Sequence, residues 1–103
     1  MQIDVFAVPD CPNLSDAVTR VHTALARAGI KDAAVRTRVV VDLAEAEIFG
    51  MRGSPTILID GRDPFAADES PASISCRLYR SASGMSGCPS IDELVEAINA
   101  TVP

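Results

Sequence analysis

The stretch Ile3-Asp4-Val5-Phe6-Ala7-Val8-Pro9-Asp10-Cys11-Pro12 decides the fold, because an apolar run ends there and a helical pattern begins. Residues 3–8 predict a β-strand, and residues 9–12 predict a tight turn. Pro12 suits the first turn of a helix, where its missing N–H costs nothing. A cysteine at such a position lies near unpaired backbone N–H groups and the positive end of the helix dipole, which favour its thiolate. Cys11 is therefore a candidate nucleophile.

The composition indicates one globular α/β domain with an aliphatic core, covering residues 1–103. Hydrophobic residues make up 48% of the chain, but it has one Tyr, three Phe and no Trp. The formal charge of −5 argues against binding to nucleic acid or to a membrane surface. The chain enters a strand at once, without the features of a signal peptide, so we expect a cytoplasmic location. The sequence leaves the oligomeric state open.

Seven elements are predicted, in the order β-α-β-α-β-β-α. A helix separates the first two strands, which makes them parallel with a right-handed crossover, and two arginines in the second strand indicate a sheet edge. The last two strands are joined by a loop too short to cross over, so we expect them to be antiparallel. The predicted elements are a strand at 3–8, a helix at 12–28, a strand at 35–41, a helix at 43–49, a strand at 56–59, a strand at 74–79 and a helix that opens at 89–93.

Three cysteines, separated by 65 and 12 positions, fit no zinc-ligand spacing and suit free thiols better than a disulfide framework. We therefore expect no metal site and no cofactor. Cys76 alternates with polar residues beside Ile74 and Leu78, which predicts a core position. His22 lies about 16 Å along the helix from Cys11, too far to activate it, and is expected at the surface.

Arg77 and Arg80 are expected to be solvated strand residues. The loop at 61–73, with its acidic Asp68 and Glu69, is either a partner-contact surface or a plain insertion.

The element order, Cys11, and Arg52-Gly53-Ser54-Pro55-Thr56 ahead of the third strand together resemble the thioredoxin fold. Thioredoxins carry a similar Arg-Gly-x-Pro-Thr stretch in which a cis peptide bond precedes the proline. The resemblance implies a cis Ser54–Pro55 bond. It also implies a thioredoxin-like four-stranded mixed sheet, flanked by three helices, with the predicted strands in the order 2-1-3-4. Shorter segments at 8–13, 53–56 and 75–79 are similar to small uncharacterised bacterial thioredoxin-like proteins.

Two positions depart from the thioredoxin pattern. Leu14 stands where thioredoxins have the second cysteine, which resolves the mixed disulfide in a dithiol cycle. Val5 stands where they have a buried acid, and Asp4 is expected on the opposite side of the pleat. An ordinary CxxC disulfide reductase is therefore excluded.

The resemblance also implies a set of site residues. In thioredoxins the loop before the last helix borders the active site, which places Gly87 and Cys88 there. Cys88 would then resolve Cys11, provided that their Cβ atoms come within about 3.5–4.5 Å; otherwise it is an isolated loop cysteine. The backbone of Ser54 would pair with an extended substrate chain. The remaining substrate-binding residues implied are Pro12, Arg52, Pro55 and Gly87, and Arg52 would favour the Cys11 thiolate if it lies alongside.

Two functions follow from this sequence. The leading hypothesis is monothiol redox chemistry at Cys11 on a protein or small-molecule thiol or disulfide, resolved by an external thiol or by Cys88. The alternative is a non-catalytic binding module that captures a soft metal such as mercury or docks a protein tail.

Overall fold

Three helices and seven short strands make up the part of the chain that the computed structural model describes, residues 1–66, 70–81 and 84–102. The predicted α/β class is confirmed. The helices are α1 (Leu14–Arg27), α2 (Leu43–Phe49) and α3 (Ile91–Thr101). The strands are β1 (Gln2–Ala7), β2 (Ala34–Val39), β3 (Arg52–Ser54), β4 (Thr56–Ile59), β5 (Ser73–Cys76), β6 (Tyr79–Ser81) and β7 (Gly84–Ser86).

The central sheet has three strands in the order β2-β1-β4. β1 runs parallel to β2 and antiparallel to β4, with Phe6 opposite Thr56 and Ile3 opposite Ile59. The predicted parallel pairing of the first two strands is confirmed, and so is the edge position of β2. This register brings the start of β4 next to the end of β1, where the Cys11 turn begins.

The expected four-stranded sheet is wrong for the described residues, because the fourth predicted strand does not join β4. Its first half, β5, pairs in parallel with β3, and β6 pairs with β7 as a separate hairpin. Arg77, which directly follows β5, donates its backbone N–H to the Ser54 carbonyl at 3.1 Å and forms an ion pair with Asp63. These contacts hold the segment against β3 instead of beside β4.

The burial of this segment differs from the prediction as well. Cys76, expected in the core, is exposed, and so is Leu78, whose surface is 63% accessible. The alternation fails because β5 ends at Cys76 and the chain then turns into β6. Arg77, expected to be solvated, has a side chain that is only 11% exposed.

Two hydrophobic clusters cover the opposite faces of the central sheet, since consecutive residues of β1 and of β4 alternate between them. One cluster lies under α1 and α3, and the other lies under α2. Cys88 belongs to the first, which also contains Ile3, Val5, Ala17, Val21, Ala24, Leu25, Ile57, Ile59, Leu94 and Ile98. The second contains Phe6, Val40, Ala46, Met51 and Leu58.

Local signals explain where the helices begin and end. Ser90 and Glu93 form a reciprocal capping box at the start of α3, and the Asp42 side chain accepts the Glu45 N–H at the start of α2. Gly50 ends α2 in the left-handed conformation that glycine adopts without strain. No helix among the described residues is both long and apolar enough to cross a membrane.

Candidate functional site

Cys11 lies in a turn between β1 and α1. Its N–H donates to the Val8 carbonyl at 3.2 Å, which closes a four-residue turn. Pro9 and Asp10 are the central residues of this turn, and the Asp10 backbone has the left-handed conformation, with φ 59°. Its carbonyl accepts the Leu14 N–H at 3.3 Å. The Cys11 residue is partly exposed.

The predicted helix start at Pro12 is two residues too early, because α1 begins at Leu14. Asn13 occupies the N-cap position without a side-chain capping bond, and Pro12 is exposed ahead of it. Cys11 therefore precedes the helix instead of lying on its first turn. The helix dipole acts mainly within that first turn, so its effect on the Cys11 sulfur is smaller than expected.

The loop before α3 lies directly against this turn. Cys88 is buried, at 3% exposure, and its Sγ is 3.4 Å from the Asn13 carbonyl oxygen. A Cβ added to Gly87 would come within 2.4 Å of the Asn13 Nδ2, so only glycine allows this approach without displacing Asn13. Arg20 of α1 donates to the Pro89 carbonyl at 3.0 Å. The structure thus brings Gly87 and Cys88 to the turn that carries Cys11.

The Cys88 thiol is held in its neutral form. Burial raises the pKa of Cys88, and the positive charge of Arg20 opposes this only in part. Negative charge on Asp16 or on Cys11 raises the pKa of Cys88 further. Cys11, Cys76 and Cys88 are all free thiols.

The Ser54–Pro55 bond is cis, as expected. The Ser54 Oγ accepts the Val8 N–H at 3.0 Å, which ties the cis-proline loop to the residue whose carbonyl holds Cys11. Ser54 is 2% exposed and Pro55 is fully buried. The Ser54 carbonyl already accepts the Arg77 N–H, so one of the two lone pairs of that oxygen is used within the chain.

Arg52 is directed to another part of the molecule. It lines a groove of about 300 Å³ together with Phe49, Leu58 and Arg62. Phe49 and Leu58 belong to the cluster under α2, whereas Cys88 belongs to the cluster on the opposite face of the sheet. Arg52 thus lines a groove on the α2 side of the sheet, whereas Cys88 lies on the opposite side.

Sequence reasoning missed a buried polar cluster behind the cis proline. The Arg77 guanidinium binds both carboxylate oxygens of Asp63, at 2.6 and 3.2 Å, and lies 4.5 Å from the centre of the Tyr79 ring. The Tyr79 hydroxyl donates to the Pro55 carbonyl at 2.5 Å. Arg77 and Tyr79 are neighbours in sequence, but nothing in the sequence indicates that Asp63 is their partner.

The described residues contain no group of three His, Cys, Asp or Glu side chains arranged to hold a metal ion. His22 is exposed, as expected. Asp68 and Glu69, the acidic part of the 61–73 loop, lie outside the described residues. The chemistry that this site offers is that of one accessible thiol beside one buried thiol.

Comparison of the chain with protein-family models, with curated proteins and with solved structures found no match. The relation to thioredoxins remains a prediction.

Proposed function

We propose that this chain is a thioredoxin-like thiol protein that carries out thiol–disulfide exchange at Cys11 in a reducing compartment such as the cytoplasm. The observation that carries the proposal is the meeting of the Cys11 turn with two other segments. Cys88 contacts the carbonyl of Asn13, and Ser54, next to the cis proline, binds the N–H of Val8.

The first step is attack by the Cys11 thiolate on a disulfide. The Cys11 sulfur forms a new S–S bond with one substrate sulfur, and the other substrate sulfur leaves as a thiolate. The substrate disulfide is thereby half reduced, and Cys11 is held in a mixed disulfide. Pro12 and Gly87, which flank Cys11 and Cys88 in sequence, are the accessible residues that would contact the substrate.

The second step frees Cys11 and has two possible routes. An external thiolate such as glutathione attacks the Cys11 sulfur, and the bound substrate leaves as a thiolate; a second glutathione then attacks the first one's sulfur, which releases Cys11 as a thiolate and gives oxidised glutathione. Alternatively, Cys88 loses its proton to solvent and attacks the Cys11 sulfur, the substrate leaves as a thiolate, and two glutathione molecules then reduce the resulting Cys11–Cys88 disulfide. Because burial raises the pKa of Cys88, the external route dominates at neutral pH and the Cys88 route gains as the pH rises.

Three matched variants test this proposal: Cys11→Ser, Cys88→Ser and Cys76→Ser. The assay measures reduction of a small disulfide by excess glutathione, with mass spectrometry to identify the mixed disulfide. We expect Cys11→Ser to abolish turnover and the adduct, Cys88→Ser to retain most of the turnover at pH 7, and Cys76→Ser, an exposed control, to match the wild type. Turnover that persists in Cys11→Ser would overturn the proposal.

A second candidate function is supported by the same two thiols. Leu14 and Val5 stand where a dithiol cycle has its second thiol and its acid, whereas Cys88 lies against the turn that carries Cys11. Two neighbouring thiolates suit a soft metal ion such as mercury, and a non-catalytic module would bind it without turnover. Titration with mercury separates the two functions: stoichiometric capture that Cys11→Ser abolishes, with no disulfide reduction by the wild type, would favour binding.

A further inference from the structure

The outer edge of β2 presents backbone groups that no strand of the described residues covers. The Ala34 N–H donates to the Met1 carbonyl at 2.9 Å, and the Val40 N–H donates to the Ala7 carbonyl at 2.8 Å, so both groups point toward β1. Alternate residues of a strand point their backbone groups to the same side, so the even-numbered residues of β2 face β1. Val35, Thr37 and Val39 therefore direct their N–H and C=O groups outward.

The side chains along this edge are basic. Five of the six residues of β2 are exposed, and the strand contains Arg36 and Arg38 but no acid. The Arg36 Nε donates to the Asp4 carboxylate at 3.2 Å, while 65% of the Arg36 side chain remains exposed. Arg38 stacks over the Phe49 ring at 4.5 Å. Both guanidinium groups thus lie on the α2 side of the edge and keep N–H donors accessible.

An apolar surface continues from the end of the strand. Val39, Val41 and Leu43 are 51%, 62% and 47% exposed. Exposed apolar residues that adjoin an unpaired strand edge are typical of a protein-binding surface. The neighbouring acids Asp42 and Glu45 accept backbone N–H groups at the start of α2.

A second copy of this chain fits the middle of this edge poorly. Antiparallel self-pairing centred on Arg36, Thr37 or Arg38 would place an arginine directly opposite an arginine, which destabilises a sheet. An extended segment with acidic residues at alternate positions would instead pair its carboxylates with Arg36 and Arg38. Apolar residues that alternate with these acids would lie opposite Val35, Thr37 and Val39.

We propose that β2 binds an extended segment of a partner protein, with alternating acidic and β-branched residues, as an added strand of the central sheet. Backbone hydrogen bonds to Val35, Thr37 and Val39 supply affinity. The two arginines supply the preference for acidic side chains. This surface is independent of the thiol chemistry proposed for Cys11.

The probe is a labelled peptide of alternating Glu and Val, whose binding is measured by fluorescence anisotropy. The control peptide has Lys in place of Glu. Thr37→Pro removes an outward N–H and leaves the pairing with β1 intact, which proline permits at a sheet edge. Thr37→Ala is its matched control, and Arg38→Glu reverses one charge without touching the backbone.

We expect the Glu peptide to bind and the Lys peptide not to bind. Thr37→Pro and Arg38→Glu should each weaken binding of the Glu peptide about tenfold or more, whereas Thr37→Ala should bind it as the wild type does. Added salt should also weaken this binding. Absence of binding by the Glu peptide at about 1 mM would overturn the proposal. Equal binding of the Glu and Lys peptides would also overturn it. So would unchanged binding by Arg38→Glu and by a folded Thr37→Pro, and so would self-association of the chain through β2.

Discussion

Two regions border the cis proline, the Cys11 turn and the segment formed by residues 60–66 and 70–80, and different interactions hold the two in place. Hydrogen bonds between uncharged groups hold the turn. The Val8 N–H donates to the Ser54 Oγ, the Cys11 N–H donates to the Val8 carbonyl, and the Cys88 thiol lies against the Asn13 carbonyl. The second segment depends on a charge pair buried against an aromatic ring. The second segment thus supports the cis proline through a buried ion pair and the Tyr79 hydroxyl, whereas the turn leaves Cys11 partly exposed.

The largest expected effect comes from breaking that charge pair. Arg77→Ala leaves the Asp63 carboxylate, whose side chain is 2% exposed, buried without its cation, and should lower the free energy of unfolding by about 3–5 kcal/mol. Arg36→Ala is the matched control, because the Arg36 side chain is 65% exposed, and should cost about 0–1 kcal/mol. Urea unfolding followed by circular dichroism measures both variants.

If Arg77→Ala does not fold, the pair is tested by replacing both partners. Arg77→Met combined with Asp63→Leu removes both buried charges and should recover most of the lost stability. Equal stability of Arg77→Ala and Arg36→Ala would contradict the contrast drawn between the two regions.

Gly53→Ala should have the next largest effect. Gly53 has φ 118°, and a Cβ there would lie 2.8 Å from the Cβ of Arg77. We expect the backbone conformation alone to lower the free energy of unfolding by about 1–3 kcal/mol, and the required shift of Arg77 to lower it further. Gly29→Ala isolates the backbone part, since Gly29 has φ 74° but open space around it. Thermal unfolding that shows equal losses in the two variants would refute the close contact.

Cys88 makes stability depend on pH. Its pKa is raised in the folded state, so its stabilising contribution is complete below the unfolded pKa of about 8.5 and is lost as the pH rises through the folded pKa. We expect the free energy of unfolding to fall above about pH 8.5, and to fall less steeply in Cys88→Ala. Cys76→Ala is the control and should follow the wild type. Urea unfolding at several pH values between 7 and 10 provides the measurement.

The smallest expected effect concerns the turn itself. Asp10 has φ 59°, a conformation that costs most residues about 1–2 kcal/mol and glycine almost nothing. Asp10→Gly should therefore be more stable than Asp10→Ala by about 1 kcal/mol. Chemical denaturation of the two variants measures the difference, and a reversed order would show that the turn is set by something other than this residue.

Regular patterns allowed much of the first half of the chain to be predicted. The apolar stripe from Leu14 to Ala28, ended by Gly29, located α1 to within two residues, and the arginines of β2 indicated its edge position. The approach of Cys88 to the Cys11 turn was implied by the resemblance to thioredoxins, and so was the cis Ser54–Pro55 bond. The structure shows both.

The region after β4 could not be predicted in the same way. Its strands are three or four residues long, too short for alternation to distinguish inside from outside, so Cys76 was placed in the core although it is exposed. The decisive interaction joins Arg77 to Asp63, fourteen positions earlier. Local propensity carries no information about such a pair, because burial of the two charges depends on the whole fold.

Tyr79 gives this molecule an internal optical reporter. The chain has no tryptophan and no other tyrosine, so its absorption and emission above the phenylalanine bands come from this ring alone. The ring carries the Arg77 guanidinium on its face, and its hydroxyl is bonded to the carbonyl of Pro55. Tyrosine emission therefore records the state of the support behind the cis proline without any added label.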